Sequence, residues 1–337
     1  MKVAVVGTGF MGRTHTEAYL RIPGVKLVGV YTTRGISTVD KAQFGVTVYT
    51  SFEQMVSETK PDVVSICLPT HFHKEYVLKA AEMGVNIICE KPIAPTLSEA
   101  REMIETCERY GVRLFIAHIL RFFPDYQNIS HQVLEGAIGK VGVVHTKRMV
   151  GHPGGGNSWY DDPAKSGGVI MDLMIHDIDF VRSVNGEVKS VYAMHKSTPG
   201  IEYALITLKF ENGIIANLEG LWGHTKSLET ACEFAGKQGM IRTNSEQTSS
   251  VRLKVLSTAD DSAVTTIPLS PLNHDPYRIQ LEHFINCIRD GTDPIVTTQD
   301  AYKAIELSLA AIESARIGKP IDLNKFHRVN VSGGKTL

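Results

Sequence analysis

Lys2-Val3-Ala4-Val5-Val6-Gly7-Thr8-Gly9-Phe10-Met11-Gly12 opens the chain as an apolar strand running straight into G-x-G-x-x-G. Each glycine has a physical use in such a turn. One permits a tight reversal, one lets the backbone approach a pyrophosphate, and one lets the next helix pack closely on the sheet. The pyrophosphate then lies at that helix's positive N-terminus. Glycine turns are common, but a strand before and a helix after make this one specific for a dinucleotide. Gly7, Gly9, Phe10, Met11 and Gly12 are the expected cofactor-binding run.

From this turn to about residue 120, short apolar runs alternate with helical patterns. The runs are Val3–Val6, Lys26–Tyr31, Asp62–Leu68, Val85–Cys89 and Val112–Ala117, with amphipathic stretches such as Glu75–Met83 and Leu97–Tyr110 between them. Strands separated by helix-length segments imply crossover units and a parallel sheet covered on both faces. Residues 1–121 are therefore expected to be an α/β, doubly wound Rossmann domain. Pro95-Thr96-Leu97-Ser98-Glu99 supplies a helix start.

The pattern changes after Pro124. Val141–Val150, Val188–His195, Ile201–Phe210, Ile214–Trp222, Thr230–Ala235 and Val251–Leu256 read as longer strands with partial period-two alternation. Asn212-Gly213 between two of them is a two-residue hairpin signal. Residues 122–337 are expected to form an α+β domain with a large, mainly antiparallel open sheet. Thr298 is the expected cap of a C-terminal helix over residues 298–317, with Ala301, Ile305, Leu309 and Ile312 on one face. Gly318 and Pro320 would end it, and it is expected to pack back towards the first domain.

Composition bounds the function. The 337 residues suit two domains. With 43% hydrophobic residues, a formal net charge of −1 and no basic cluster along one element, nucleic-acid or anionic-membrane binding has no electrostatic basis. Cys67, Cys89, Cys107, Cys232 and Cys287 show no metal-type spacing, so a reducing cytoplasm and no metal are expected. Met1–Val6 mimics a signal peptide but is interrupted at Gly7, and no apolar run reaches the length of a membrane span.

The second strand carries the next signal. An NAD site places Asp or Glu about twenty residues after the glycines, to bind the ribose hydroxyl. Here Thr32-Thr33-Arg34 follow Tyr31, with no carboxylate until Asp40. Hydroxyls and a guanidinium suit a 2′-phosphate, so the reading leans to NADP over NAD. Otherwise Arg34 is a solvated loop residue. Pro69-Thr70-His71-Phe72-His73 follows a further strand at the carboxyl edge, so Pro69, Thr70 and His73 join the cofactor set. Glu90-Lys91-Pro92 closes the run Val85–Cys89 at the same edge, adding Glu90 and Lys91. Lysine brings an ammonium able to hydrogen-bond a reacting oxygen, and proline fixes the backbone that presents it.

Ser166-Gly167-Gly168-Val169-Ile170-Met171-Asp172-Leu173-Met174-Ile175-His176-Asp177-Ile178-Asp179 is the second informative run. If it is helical from Gly168, Asp172 and His176 share one face. An aspartate beside a histidine fixes the imidazole for proton transfer. Two metal ligands or a structural buried pair are the alternatives.

These residues together resemble the Gfo/Idh/MocA family of NAD(P)-dependent oxidoreductases, which includes inositol dehydrogenases and glucose–fructose oxidoreductase. The resemblance runs through Gly7–Gly12, Pro69-Thr70 with His73, Glu90-Lys91-Pro92, Arg121-Phe122 with Pro124, Trp159-Tyr160 with Asp162-Pro163, and Gly167-Gly168 to Asp172 and His176. It implies that Lys91, Asp172 and His176 are the catalytic set. It also implies reversible hydride transfer between a nicotinamide and a secondary alcohol of a sugar, cyclitol or related polyol. The alternatives are a glycoside-cleaving enzyme with retained cofactor, and a non-catalytic dinucleotide sensor. The resemblance places Arg121, Tyr160, Trp159 and Trp222, with His118 and His224, near the substrate, and Trp222 is the expected stacking surface. Members often have three glycines where this chain has Ser166-Gly167-Gly168, and often glycine where it has Met174, which is expected to narrow the pocket. The strands carry apolar residues on both sides in places (Ile206, Leu208, Ile214, Ile215, Leu218), so the open sheet face is expected to be buried between subunits of a homodimer or homotetramer.

Overall fold

In the computed structural model of the chain, which describes residues 1–33, 45–154, 158–223, 228–245, 251–256, 264–269 and 275–326, the opening apolar run is a strand, β1 (Lys2–Val6). Val3 to Val6 are fully buried. Joining β1 are β2 (Lys26–Tyr31), β3 (Val48–Tyr49), β4 (Val63–Ile66), β5 (Asn86–Glu90) and β6 (Leu114–Ala117). All pair in parallel, in the order β3-β2-β1-β4-β5-β6. Uniformly buried runs such as Val63–Ile66, apolar but for Ser65, are what a sheet covered on both faces needs. The order reverses at β1, where open α/β sheets leave a ligand crevice outside the carboxyl ends of the strands. β3 was not expected from the sequence, since two residues are too short to show a period.

The connecting helices are α1 (Phe10–Tyr19), α2 (Phe52–Thr59), α3 (His73–Glu82) and α4 (Leu97–Tyr110). Thr96 caps α4 by accepting the Glu99 backbone N–H at 3.3 Å, and Gly111 ends it at φ +67°. The start signal of Pro95–Glu99 thus resolves to a single hydroxyl.

Contacts divide the chain into one unit of Met1–Phe122 with Asp275–Ile305 and another of Phe123–His274 with Glu306–Leu337. The sequence reading assigned all of 122–337 to the second domain, and Asp275–Ile305 departs from it. Phe284 in this segment stacks on Phe115 and Phe122, with ring centroids 5.1 and 5.8 Å away. Those rings lie on and just after β6, where sequence periodicity carries no trace of a distant partner.

In the second unit, α5 (Pro124–Leu134), β7 (Val141–Val150), α6 (Pro163–Ser166), α7 (Gly168–Asp172) and α8 (Ile175–Asn185) precede β8 (Val188–Thr198), β9 (Ile201–Phe210), β10 (Ile215–Trp222), β11 (Glu229–Gly236) and β12 (Gly239–Asn244). β13 (Val251–Leu256) and β14 (Val264–Leu269) form a separate two-stranded ribbon. α9 (Pro276–Asp290) belongs to the first unit, and the division falls inside α10 (Thr298–Ile317). The cap of α10 is Thr297 rather than Thr298. Its hydroxyl accepts the Asp300 N–H at 3.0 Å, and Asp300 accepts the Thr297 N–H at 3.0 Å.

With β15 (Ile321–Asp322), the large sheet runs β12-β11-β7-β10-β9-β8-β15. Only β7 and β10 pair in parallel; every other neighbour is antiparallel. Asn212-Gly213 makes the β9–β10 reversal, with Gly213 at φ +90°. The five apolar residues named from the sequence divide unequally between the two faces of this sheet. Ile206, Leu208, Ile214 and Leu218 are buried within the chain, and of the five named residues only Ile215 is exposed. Alternation puts Ala216, Leu218, Gly220 and Trp222 on the covered face of β10, and Ile215, Asn217, Glu219 and Leu221 on the other.

Candidate functional site

In the first unit, the turn after β1 is built from backbone packed on backbone. Gly7 sits at φ +115°, and a Cβ on it would lie 2.5 Å from the Cys67 carbonyl oxygen. A Cβ on Gly12 would overlap the Gly7 carbonyl. Gly9 differs, because nothing lies within 4 Å of where its Cβ would stand. Gly9 is also the N-cap of α1, with no side-chain cap and no acidic residue in the first turn. An open approach and an uncapped helix start fit an anionic pyrophosphate. Phe10 is 74% exposed beside this turn, and Met11 is half-buried.

Thr32 ends β2's side of the crevice. It is buried, and its hydroxyl lies 3.2 Å from that of Thr8, while Thr33 is exposed. Arg34 lies outside the described residues, as does His224. Pro69 leads into a 3-10 turn, Thr70–Phe72, in which Thr70 is buried. β5 ends at Glu90, and Lys91, half-buried, is joined to Pro92 by a cis peptide bond.

Glu90 and His73 do not present themselves as the sequence reading expected. Glu90 is buried, and its carboxylate takes a hydrogen bond from His15 at 2.9 Å. Burial would raise the Glu90 pKa, but the His15 hydrogen bond and charge, with Lys91 nearby, bring it below its usual value. His15 is wholly buried. Burial would lower its pKa, yet the neighbouring Cys67 sulfur and the Glu90 carboxylate raise it to about 10. His73, also wholly buried, has its ring nitrogens 2.9 Å from the Pro92 carbonyl and 2.8 Å from the Leu68 carbonyl. Burial lowers its pKa, against those two carbonyls and the Glu90 charge.

The second unit carries Asp172 and His176, both half-buried, and they do not lie in one helix. α7 ends at Asp172, Leu173-Met174 form a turn, and α8 begins at Ile175. The Leu173 and Met174 N–H groups both reach back to the Val169 carbonyl, at 3.1 and 2.9 Å. That five-residue step resets the register, so the expected four-residue face gives way to two helix ends meeting at a turn.

The glycines before Asp172 are explained locally. Gly167 and Gly168 stand at φ +70° and +64°, and a Cβ on the second would overlap the Glu202 carboxylate. That carboxylate accepts the Val169 N–H at 3.0 Å, tying the start of α7 to β9. Ser166 keeps ordinary helical backbone. Its buried hydroxyl donates towards the Tyr160 and Asp162 carbonyls at 3.2 and 3.1 Å and accepts the Gly168 N–H at 3.1 Å. Met174 was expected to narrow the pocket. It is buried against Gly220 of β10, where any Cβ would strike its side chain.

Trp159 and Tyr160 lie on a 3-10 turn, Trp159–Asp161, with ring centroids 4.1 Å apart and both half-exposed. Trp222 backs this pair rather than offering a face. It is 1% exposed and packs edge-on against Tyr160 at 6.0 Å and His152 at 5.3 Å. The reading of Trp222 as a stacking surface is corrected on that ground, because the even positions of β10 face inwards. In the first unit Arg121 hydrogen-bonds the Ile295 carbonyl at 3.1 Å and Asp300 at 3.3 Å, and His118 is buried.

Sequence reasoning missed the ion pair made by Asp177, the residue after His176. Arg148 of β7 donates through Nε to Asp177 Oδ2 at 2.6 Å, and its Nη2 lies 3.3 Å from Oδ1 and 3.4 Å from the Tyr126 hydroxyl. Both charges are buried, and Asp177 more than offsets the burial that would discharge Arg148. A lone arginine at a buried position of a strand was the available signal. All five cysteines are free and buried, and among the described residues no cluster is suited to a metal and no helix is long and apolar enough to cross a membrane.

Known proteins resemble the chain over nearly its whole length. It is 29% identical to a scyllo-inositol 2-dehydrogenase (NAD(+)) of Bacillus subtilis, covering 96% of each. It is 28% identical to a D-glucoside 3-dehydrogenase of Escherichia coli, covering 96% of this chain and 97% of that one. The crystal structure of myo-inositol 2-dehydrogenase from Lactobacillus plantarum superposes with a TM-score of 0.82 at 27% identity, over 96% of this chain and 99% of that one. Family models described as "Oxidoreductase family, NAD-binding Rossmann fold" and "Oxidoreductase family, C-terminal alpha/beta domain" match residues 1–118 and 131–323. With a glycine turn fit for a dinucleotide and both family domains in order, the chain belongs to the Gfo/Idh/MocA family of oxidoreductases.

Proposed function

We propose that the protein is a nicotinamide-dependent dehydrogenase acting on a secondary alcohol of a sugar, cyclitol or related polyol. The observation that carries this reading is the carboxyl edge of the parallel sheet, where the open Gly9 turn follows β1 and the Glu90-Lys91 step ends β5. Gly7 to Gly12 would hold the pyrophosphate, with Thr32, Thr33 and Thr70 near the riboses, and the bound nicotinamide supplies hydride acceptance and donation. His176 takes the hydroxyl proton as general base. Lys91 stabilises the developing alkoxide charge. Asp172 orients His176 and favours its cationic form. Arg121, Trp159 and Tyr160 are assigned to substrate, with the tilted Trp159–Tyr160 pair presenting ring surface to a polyol.

Thr32-Thr33-Arg34 without a carboxylate before Asp40 favours NADP over NAD. Five free, buried cysteines support a reducing, cytoplasmic location. The sheet face opposite the covered one exposes Val143, Tyr192, Met194, Ile201, Ile215 and Met240 around a polar centre in which Glu219 neighbours Lys147 and Glu233 neighbours Arg242. Self-complementary charge ringed by apolar residues suits a second copy of this chain, giving a dimer or tetramer.

The test is nicotinamide absorbance in a screen of polyols, cyclitols and aldoses, with NAD and NADP in parallel. Turnover of a polyol with either cofactor is expected. Tight cofactor binding without turnover on any of them would overturn the dehydrogenase reading.

A further inference from the structure

Two buried histidines from different helices hold the residues on either side of Lys91. His15 lies on α1, just beyond the glycine turn. Its Nε2 donates to Glu90 Oε1 at 2.9 Å, while the other oxygen of Glu90 lies 3.3 Å from the Lys91 backbone N–H. The far side of the His15 ring is held by the Ser65 hydroxyl, 2.8 Å from Nδ1, and Tyr19 donates to that hydroxyl at 3.2 Å. His73 begins α3. Its Nδ1 lies 2.9 Å from the carbonyl of Pro92, the residue after Lys91, and its Nε2 lies 2.8 Å from the carbonyl of Leu68.

Burying an imidazole is costly unless its nitrogens find partners. Here each ring directs one nitrogen to the Glu90–Pro92 step and the other to β4 or its following loop, and the single proton of a neutral His73 goes to Pro92 in its Nδ1–H tautomer. The step is thereby tied from both sides to the sheet edge that carries the glycine turn and Thr70.

We propose that His15 and His73 are positioning residues for Lys91, fixing the peptide that presents its ammonium by one hydrogen bond before it and one after it. This rests on the reading of Lys91 as a group at the reaction centre. Neither histidine is assigned contact with substrate. A shift of about 1 Å in a positioned group can cost on the order of a hundredfold in rate, which is the scale of effect at stake.

The two rings use opposite nitrogens for this task, and that supplies the test. Glutamine places an amide near the Nε2 position of histidine, and asparagine places one near Nδ1. His15→Gln therefore retains a donor towards Glu90 and His15→Asn does not. His73→Asn retains one towards Pro92 and His73→Gln does not. On the substrate found in the screen, kcat of His15→Asn is expected to be at least about tenfold below that of His15→Gln, and kcat of His73→Gln at least about tenfold below that of His73→Asn. Hydrogen–deuterium exchange of the peptide spanning Glu90–Ala94, measured on the protein without added ligand, should be faster in the two slow variants.

A purely structural role would make kcat and exchange track melting temperature across the four proteins, without the crossed order. That result, or the same amide winning at both positions, overturns the proposal. Lys91→Ala separates the two claims. If it loses turnover while the crossed order is missing, positioning alone fails. If it keeps turnover, the reading of Lys91 fails and the proposal with it.

Discussion

Gly7 and Gly12 in the first unit pack against backbone, whereas Gly167 and Gly168 in the second pack against the side chains of Met171 and Glu202. A carbonyl cannot step aside, so neither Gly7 nor Gly12 tolerates a Cβ, although the carbonyl over Gly7 is that of Cys67, just after β4. A carboxylate can swing away, so the second turn depends on Glu202, a residue from a strand more than thirty positions on. The first region is closed by rigid backbone, and the second by side chains that can move.

The largest effect is expected where the second region is held by charge. Asp177→Ala strands the buried Arg148 guanidinium and should cost about 3–5 kcal/mol, read as a lowered urea midpoint. A loss below about 1 kcal/mol would show that the second region does not depend on this pair. Lys91→Ala and His176→Ala, one in each unit, should each lower kcat by at least about 100-fold on the true substrate while leaving melting temperature nearly unchanged. Steady-state kinetics on the screened substrate decides whether the two units contribute equally to the chemistry.

Gly168→Ala should cost about 1–2 kcal/mol for its left-handed backbone, plus the clash with Glu202. Adding Glu202→Ala should recover part of that loss, whereas no side-chain truncation should rescue Gly12→Ala. Thermal unfolding of the single and double variants checks this difference, and an equal rescue at both turns would erase it. Thr297→Ala, which removes the cap of α10, is expected to cost about 1 kcal/mol in the same measurement.

Much of the fold is legible because it repeats locally. β2, β7, β9 and α4 have the limits their periodicity predicts, and the hairpin at Asn212-Gly213 follows from two residues. The glycine turn and the placement of Lys91 at a strand end are equally local. The run from Gly168 to Asp179 misleads for a physical reason. Apolar spacing fits one continuous helix, but the chain turns at Leu173-Met174, where Met174 is buried over Gly220. Trp222 misleads likewise, because a large aromatic at a strand end is read as a platform until the parity of the strand is known.

By itself, the sequence determined that a dinucleotide fingerprint opens a parallel α/β unit, that a lysine stands at the same sheet edge, and that an antiparallel sheet follows. These depend on neighbours within a turn or a strand, where sterics and period act directly. The tertiary structure decided that His15 and His73 spend both ring nitrogens inside the protein, that Arg148 finds Asp177, and which face of the large sheet is left uncovered. Each of these pairs residues separated by many positions. Burial cost selects such partners only once the chain has folded, and no local pattern records the choice.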